Sequence, residues 1–197
     1  MTKRISRDQC LGVIIDVQDF FLAQIDKRER PKLETNIGNF ARLLGYFKIP
    51  MLVTLERPVE GKGTLPYVIK EPLNGDAQIF EKDFFDLTKE AEIRAHLKGL
   101  QKKQAIIVGC ETDVCVLQSC LGLLDLGYEV FVVEELLFSS ARDVEAAMVR
   151  METEGAIFLT YKTLYYELIE AVGGAPHAQK LLANFGDFPD DLPDCAL

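Results

Sequence analysis

Three of the chain's five cysteines fall in one short segment, GCETDVCVLQSC (109–120), at Cys110, Cys115 and Cys120. Cysteine can act as a metal ligand, a redox partner, core filler or a nucleophile. A structural zinc site needs about four Cys or His ligands, commonly with C-x2-C pairs. Here the spacing is five, and the chain's two histidines are His96 and His177. A redox couple is usually C-x-x-C, and residues five apart on a helix point about 140° away from each other. Neither chemistry fits. Buried, inert thiol is the ordinary state of cysteine, and it suits Cys10, Cys110 and Cys120. Cys195, close to the C-terminus, reads as exposed and incidental.

Cys115 differs by position. It follows the apolar run AIIV (105–108), and residues 112–126 read as a helix closed by Gly127. It therefore sits in a first helical turn, where unpaired N–H groups and the helix dipole favour thiolate and lower the pKa. The same N–H groups could hold an oxyanion during acyl transfer. Two other reactive side chains close apolar runs: Asp16 ends CLGVIID (10–16) and Lys82 ends AQIFEK (77–82). Taken singly, each has a plain alternative. Asp16 can cap a turn, and Lys82, flanked by Glu81 and Asp83, can be a solvated charge. Gln18 either orients Asp16 or occupies a turn.

The elements that must position these groups alternate. Residues 10–16, 49–56, 104–109, 128–135 and 156–161 read as strands, and 77–82 as a short strand or an extended approach. Residues 27–48, 87–100, 112–126, 140–155 and 163–174 read as helices, with Thr88 and Ser140 as caps and Gly99, Gly127 and Gly155 as stops. A short helical piece is expected in the tail PHAQKLLANFGDF (176–188). The strands are continuous apolar runs, as in a sheet covered on both faces. The expectation is a single α/β domain over 1–197, a three-layer α/β/α sandwich on a largely parallel sheet of about six strands. Sites in such sheets form beyond the C-terminal strand ends, so Asp16, Lys82 and Cys115 should converge. Residues 56–77, ERPVEGKGTLPYVIKEPLNGDA, read as a long, partly ordered loop.

A net charge of −9 argues against nucleic acid or an anionic membrane as partner. The apolar run near the N-terminus is too short for a signal peptide, and no run reaches the roughly 20 residues of a membrane span. With an odd cysteine count, the expectation is free thiols in a cytoplasmic protein.

The segments GCETDVCV (109–116), IIDVQDFF (14–21) and FEKDFF (80–85), in their order along the chain, resemble the isochorismatase-like cysteine hydrolases. That superfamily includes nicotinamidases, N-carbamoylsarcosine amidohydrolase and metal-free members of unassigned substrate. The resemblance spans about residues 10–161. Its triad, carried over, is Asp16 as base and acid, Lys82 as electrostatic support and Cys115 as nucleophile. It implies a cis peptide at Cys110–Glu111, with an oxyanion hole from the backbone N–H groups of Glu111 and Cys115. It implies a hydrolase of a small amide or carbamoyl-type substrate acting through a thioester, and assembly as a homo-oligomer. The alternatives are a catalytically idle scaffold or a redox-sensing thiol protein of the same fold. Asp19 stands where the family usually has Asn. Nicotinamidases bind a metal through an Asp-x-His pair after the second strand, but here that strand runs LVTLERP (52–58). No metal or other cofactor is therefore expected. Gln18, Phe21, Glu56 and Arg57 are the expected substrate-contacting groups.

Overall fold

The structure is a computed structural model that describes residues 3–73, 75 and 77–170. Six strands form one parallel sheet: β1 (Cys10–Ile15), β2 (Met51–Glu56), β3 (Ala77–Lys82), β4 (Gln104–Cys110), β5 (Glu129–Phe138) and β6 (Ile157–Leu159). Their order is β3-β2-β1-β4-β5-β6. The helices are α1 (Asp19–Leu22), α2 (Arg30–Tyr46), α3 (Val59–Lys62), α4 (Tyr67–Lys70), α5 (Ala91–Leu100), α6 (Leu117–Asp125), α7 (Glu145–Thr153) and α8 (Tyr161–Ile169). None of them is long and apolar enough to cross a membrane.

Successive side chains of a strand face opposite ways, and β1 shows the consequence. Cys10 and Ile14 join Ile37, Phe40 and Leu44 of α2 and Leu164 and Leu168 of α8 in one core. Leu11, Val13 and Ile15 join Ile93 and Leu97 of α5, Cys120 and Leu123 of α6, and Met151 of α7 in the other. Every residue of β1 and β4 is buried, which is why these strands lack polar alternation. The layers are thus α2 and α8, the sheet, and α5 to α7. In α2 the buried Ile37, Phe40, Leu43 and Leu44 recur at helical spacing, and Pro31 lies in the first turn, where its missing N–H costs nothing.

The chain reverses its direction of growth between β1 and β4, which leaves a crevice beyond their C-terminal ends. Gly109 lets these strands meet there. Its φ is 122°, and a Cβ would stand 2.1 Å from the carbonyl oxygen of Ile15.

Several local expectations need correcting. The 56–77 stretch is not a plain loop; it holds α3, α4 and a 3-10 turn at Glu71–Leu73. Residues 77–82 form a full strand, in register with β2 from Met51↔Ala77 to Glu56↔Lys82. Thr88 is capped rather than capping: Asp86 Oδ1 accepts its N–H at 2.8 Å, and α5 starts only at Ala91. That helix runs past Gly99 to Leu100 and closes on Gln101 in the left-handed region (φ 54°). Ser140 does not cap α7, which begins at Glu145; its hydroxyl donates to Glu111 instead. Thr160 caps α8 instead, accepting the Thr163 N–H at 3.1 Å. The 176–188 tail piece, His177 and Cys195 lie outside the described residues.

Gly109→Ala should lower unfolding stability by roughly 2–4 kcal/mol, through overpacking and backbone strain together. Gly127→Ala, at φ 85° with no atom within 4 Å of the new methyl, should cost about 1 kcal/mol. Urea denaturation midpoints of the two variants check the contrast.

Candidate active site

Asp16 follows β1, adopts φ 50° and is fully buried. Its Oδ1 accepts a hydrogen bond from Thr54 Oγ1 at 2.7 Å, and its N–H donates to the Thr54 carbonyl at 3.1 Å. Lys82 ends β3 and is also fully buried. Its ammonium lies 2.7 Å from Asp16 Oδ2, 3.7 Å from Glu56 Oε2 and 3.5 Å from Cys115 Sγ, to which it donates. The Glu56↔Lys82 register sets these two side by side at the ends of neighbouring strands.

Cys115 arrives from the turn that follows β4. The Cys110–Glu111 peptide is cis. A π-helical turn, Thr112–Val116, follows and leads into α6. Single π turns of this kind recur at functional sites. The Glu111 carbonyl accepts the N–H groups of Val114 (3.1 Å) and Val116 (3.0 Å). Side chains tie the turn to the end of β5: Thr112 Oγ1 donates to the Phe138 carbonyl, Ser139 to Asp113 and Ser140 to Glu111. The Cys115 side chain is 1% exposed, and its thiol donates to Glu56 Oε2 at 3.1 Å.

The electrostatics overturn one expectation. The Cys115 thiol is not acidified. Burial, then the charge of Asp16, pushes its pKa up; Lys82 pulls it down less, and Glu56 raises it further. The field at a helix start does not overcome desolvation beside two carboxylates. Burial beside these charges favours the protonated thiol over the thiolate. For Asp16, burial raises the pKa above the usual carboxylate value, against the opposing pull of Lys82 and Thr54. Glu56 goes the other way. Burial raises its pKa, but donors from Lys62 and Cys115 and the charge of Lys82 outweigh it and hold the carboxyl low. Burial alone would lower the Lys82 pKa; Asp16 first, then Cys115 and Glu56, hold it above its ordinary value.

The remaining predicted residues separate. The Gln18 amide brackets the backbone of Glu56, accepting its N–H at 2.7 Å and donating to its carbonyl at 3.2 Å and to that of Gly63 at 2.9 Å. Gln18 therefore orients Glu56, and its side chain is not directed to Asp16. Phe21 is buried in the core beneath the Lys62 ammonium, which lies 5.7 Å from its ring centroid. Arg57 is not brought to the cluster. Its guanidinium pairs with Glu81 (3.1 Å) and Asp83 (2.6 Å) at the surface. Sequence reasoning missed Thr54 and Lys62. Thr54 was marked by being the polar residue inside the otherwise apolar MLVTL. Lys62, which pairs with Glu56 and donates to the Arg57 carbonyl at 2.9 Å, carried no signal.

Asp16, Glu56 and Cys115 each bring a potential ligand atom within 4.8 Å of the others. The Lys82 ammonium already lies against all three, so a side chain supplies the positive charge that a metal would bring. His96, the histidine among the described residues, sits on α5 against Phe80 at 5.3 Å between ring centroids.

Residues 10–163 match the isochorismatase domain family. The chain belongs to the isochorismatase family. A curated family member, isochorismatase family protein 1A of Dictyostelium discoideum, is 33% identical over 151 residues, covering 70% of this chain and 73% of the relative. The structure of the MAR1 ribonuclease from Caenorhabditis elegans superposes with a TM-score of 0.85 at 27% identity, covering 99% of this chain and 100% of the other. The Escherichia coli YcaC gene product, an octameric hydrolase of unknown specificity, shares the fold with a TM-score of 0.86 at 23% identity, covering 94% and 92% of the two chains. In this isochorismatase-family chain, the ends of β1 and β3 and the turn after β4 bring Asp16, Lys82 and Cys115 together.

Lys82→Met should destabilise the protein by about 3–5 kcal/mol at neutral pH, because it leaves Asp16 buried without its cation. The sign of the pH dependence follows from Asp16. A carboxyl whose folded pKa is raised favours the folded state at low pH, and that contribution is lost as pH rises through the folded pKa. Without Lys82 this pKa rises further. The deficit relative to wild type should therefore be smaller at about pH 5 than at about pH 8, as read by urea unfolding.

Proposed function

We propose that the protein is a cysteine hydrolase that cleaves the C–N bond of a small amide or carbamoyl-type compound through a thioester on Cys115. The observation that carries this reading is the fully buried Lys82 ammonium, in contact with both the Asp16 carboxylate and the Cys115 sulfur. Sealing a lysine away from water is costly, and apolar residues could fill the same space. Perturbed ionisable groups gathered at one end of a sheet mark a candidate site for chemistry.

In the proposed reaction the Cys115 sulfur attacks the carbonyl carbon as its proton passes to Asp16. The backbone N–H groups of Glu111 and Cys115 receive the oxyanion. Collapse breaks the C–N bond, and Asp16 gives its proton to the departing nitrogen. A water then loses a proton to Asp16 and attacks the thioester. The C–S bond breaks, the acid leaves, and Asp16 returns the proton to sulfur. Lys82 remains charged throughout and balances the negative charge, which moves between Asp16 and Cys115. No step draws on a metal or other cofactor.

A redox sensor calls for an exposed, acidic thiol, whereas Cys115 is buried with its pKa raised. An idle scaffold would leave the buried ion cluster without a use. The ribonuclease name of the C. elegans neighbour would imply RNA as substrate, but a net charge of −9 disfavours a polyanion. Assembly as a homo-oligomer belongs to the same proposal, in keeping with the octameric YcaC neighbour. So does a reducing, cytoplasmic setting, since Cys10, Cys110, Cys115 and Cys120 are all free thiols.

Intact mass and released ammonia, measured with a panel of small amides, test the reading. Wild type should turn over at least one member and carry a transient acyl adduct. Cys115→Ala should show neither, and Asp16→Asn should be slower by about 100-fold or more. Turnover by Cys115→Ala at the wild-type rate would overturn it.

A further inference from the structure

Two carboxylates flank the Cys115 sulfur, and the proposed chemistry employs only one. Asp16 is sealed from solvent and held by Thr54 and Lys82. Glu56 is different. Its side chain is 13% exposed, so it is the one of the pair that faces the outside. Its position is fixed from three directions. Gln18 brackets its backbone on both sides. Lys62 occupies Oε1, the Cys115 thiol donates to Oε2, and Lys82, at 3.7 Å from Oε2, is beyond hydrogen-bond distance. Among the described residues, Oε2 thus has one hydrogen-bond donor, the Cys115 thiol, beside the ion pair with Lys82.

The thiol proton leaves when the sulfur attacks. Oε2 then keeps the Lys82 ammonium at 3.7 Å but loses its hydrogen-bond donor, a costly change in a nearly dry site. A carbon newly bonded to the sulfur carries its own substituents into the space around Sγ, and Oε2 already borders that space. Whatever the substrate bears there must replace the lost donor. An N–H can do so. An ester oxygen cannot, and a carboxylate would be repelled. Sites built on a hydrogen bond to the substrate reject analogues without it strongly, because their own polar group is left unpaired.

We propose that Glu56 is a specificity-determining residue. Its Oε2 accepts an N–H from the nitrogen on the attacked carbonyl carbon, so the site takes uncharged carboxamide or ureido compounds and excludes carboxylates. The proposal rests on Cys115 being the nucleophile and deepens that reading by naming the residue that selects among small amide and carbamoyl-type compounds. Lys62 tempers the selection by neutralising part of the Glu56 charge.

The test compares alkylation of Cys115 by iodoacetamide and iodoacetate, two reagents of similar size that differ in the group set against Glu56. Rates are read by peptide mass on the full-length protein, as the ratio of amide to acid, with glutathione as the free-thiol reference. In wild type the preference for iodoacetamide should exceed that of glutathione by about tenfold or more. Glu56→Gln should bring the ratio down by about tenfold, and Lys62→Met should raise it. The ratio cancels the change in thiol acidity that either substitution brings. Lys62→Met also keeps the proposal open to refutation if Glu56→Gln does not fold. Wild-type ratios in the variants that fold would overturn the role of Glu56 while leaving the nucleophile in place. No Cys115 adduct with either reagent in any folded protein would overturn both readings, an outcome distinct from an unchanged ratio.

Discussion

The ammonium of Lys82 is the interaction on which the rest of the site depends. It is fully buried and lies within 4 Å of Asp16, Glu56 and the Cys115 sulfur. A buried carboxylate left unpaired costs several kcal/mol, and here two crowd one sulfur. Lys82 and Lys62 set two cations against the Asp16 and Glu56 carboxyls, and burial favours the protonated thiol. Much of the local architecture serves this balance. The β2–β3 register sets Glu56 beside Lys82, Gly109 brings β4 against β1 just below Asp16, and Gln18 fixes the Glu56 backbone.

The neutral thiol changes how the site would work. A thiolate held ready by a helix dipole would add a third negative charge to a dry cluster. Instead, the structure raises both Cys115 and Asp16 above their ordinary pKa values, by burial, and keeps them together beside one cation. Moving a proton from sulfur to Asp16 then leaves the net charge of the cluster unchanged. The desolvation penalty that would oppose a free thiolate is avoided until the sulfur is forming its new bond.

The parts of the fold that could be read from sequence are those dictated by burial. Strands β1, β2, β4 and β5 are apolar runs because helices cover both faces, and Asp16 and Cys115 stood out because they follow such runs. β3 was ambiguous because AQIFEK lies at the sheet edge and only its last residue, Lys82, is buried. The π turn at Thr112–Val116 and the short helices α3 and α4 are set by tertiary contacts rather than by periodicity. In sequence Ser140 reads as a helix cap; the position of the β5 end makes its hydroxyl a partner for Glu111 instead. Glu56 and Arg57 are adjacent in sequence and point to different fates, one to the thiol and one to Glu81 and Asp83. That divergence comes from strand alternation at the end of β2. Helix position, which is visible in a sequence, argues for an acidic Cys115, whereas desolvation, which is not, pushes its pKa up.

Membership in the isochorismatase family accounts for the scaffold; the chemistry rests on the protonation state of the cluster. The ultraviolet difference spectrum of wild type minus Cys115→Ser, recorded across pH, reads that state directly through the thiolate absorbance. A neutral resting thiol predicts no thiolate band at neutral pH and its appearance only under clearly alkaline conditions. A band already present at neutral pH and titrating in the acid range would contradict the account.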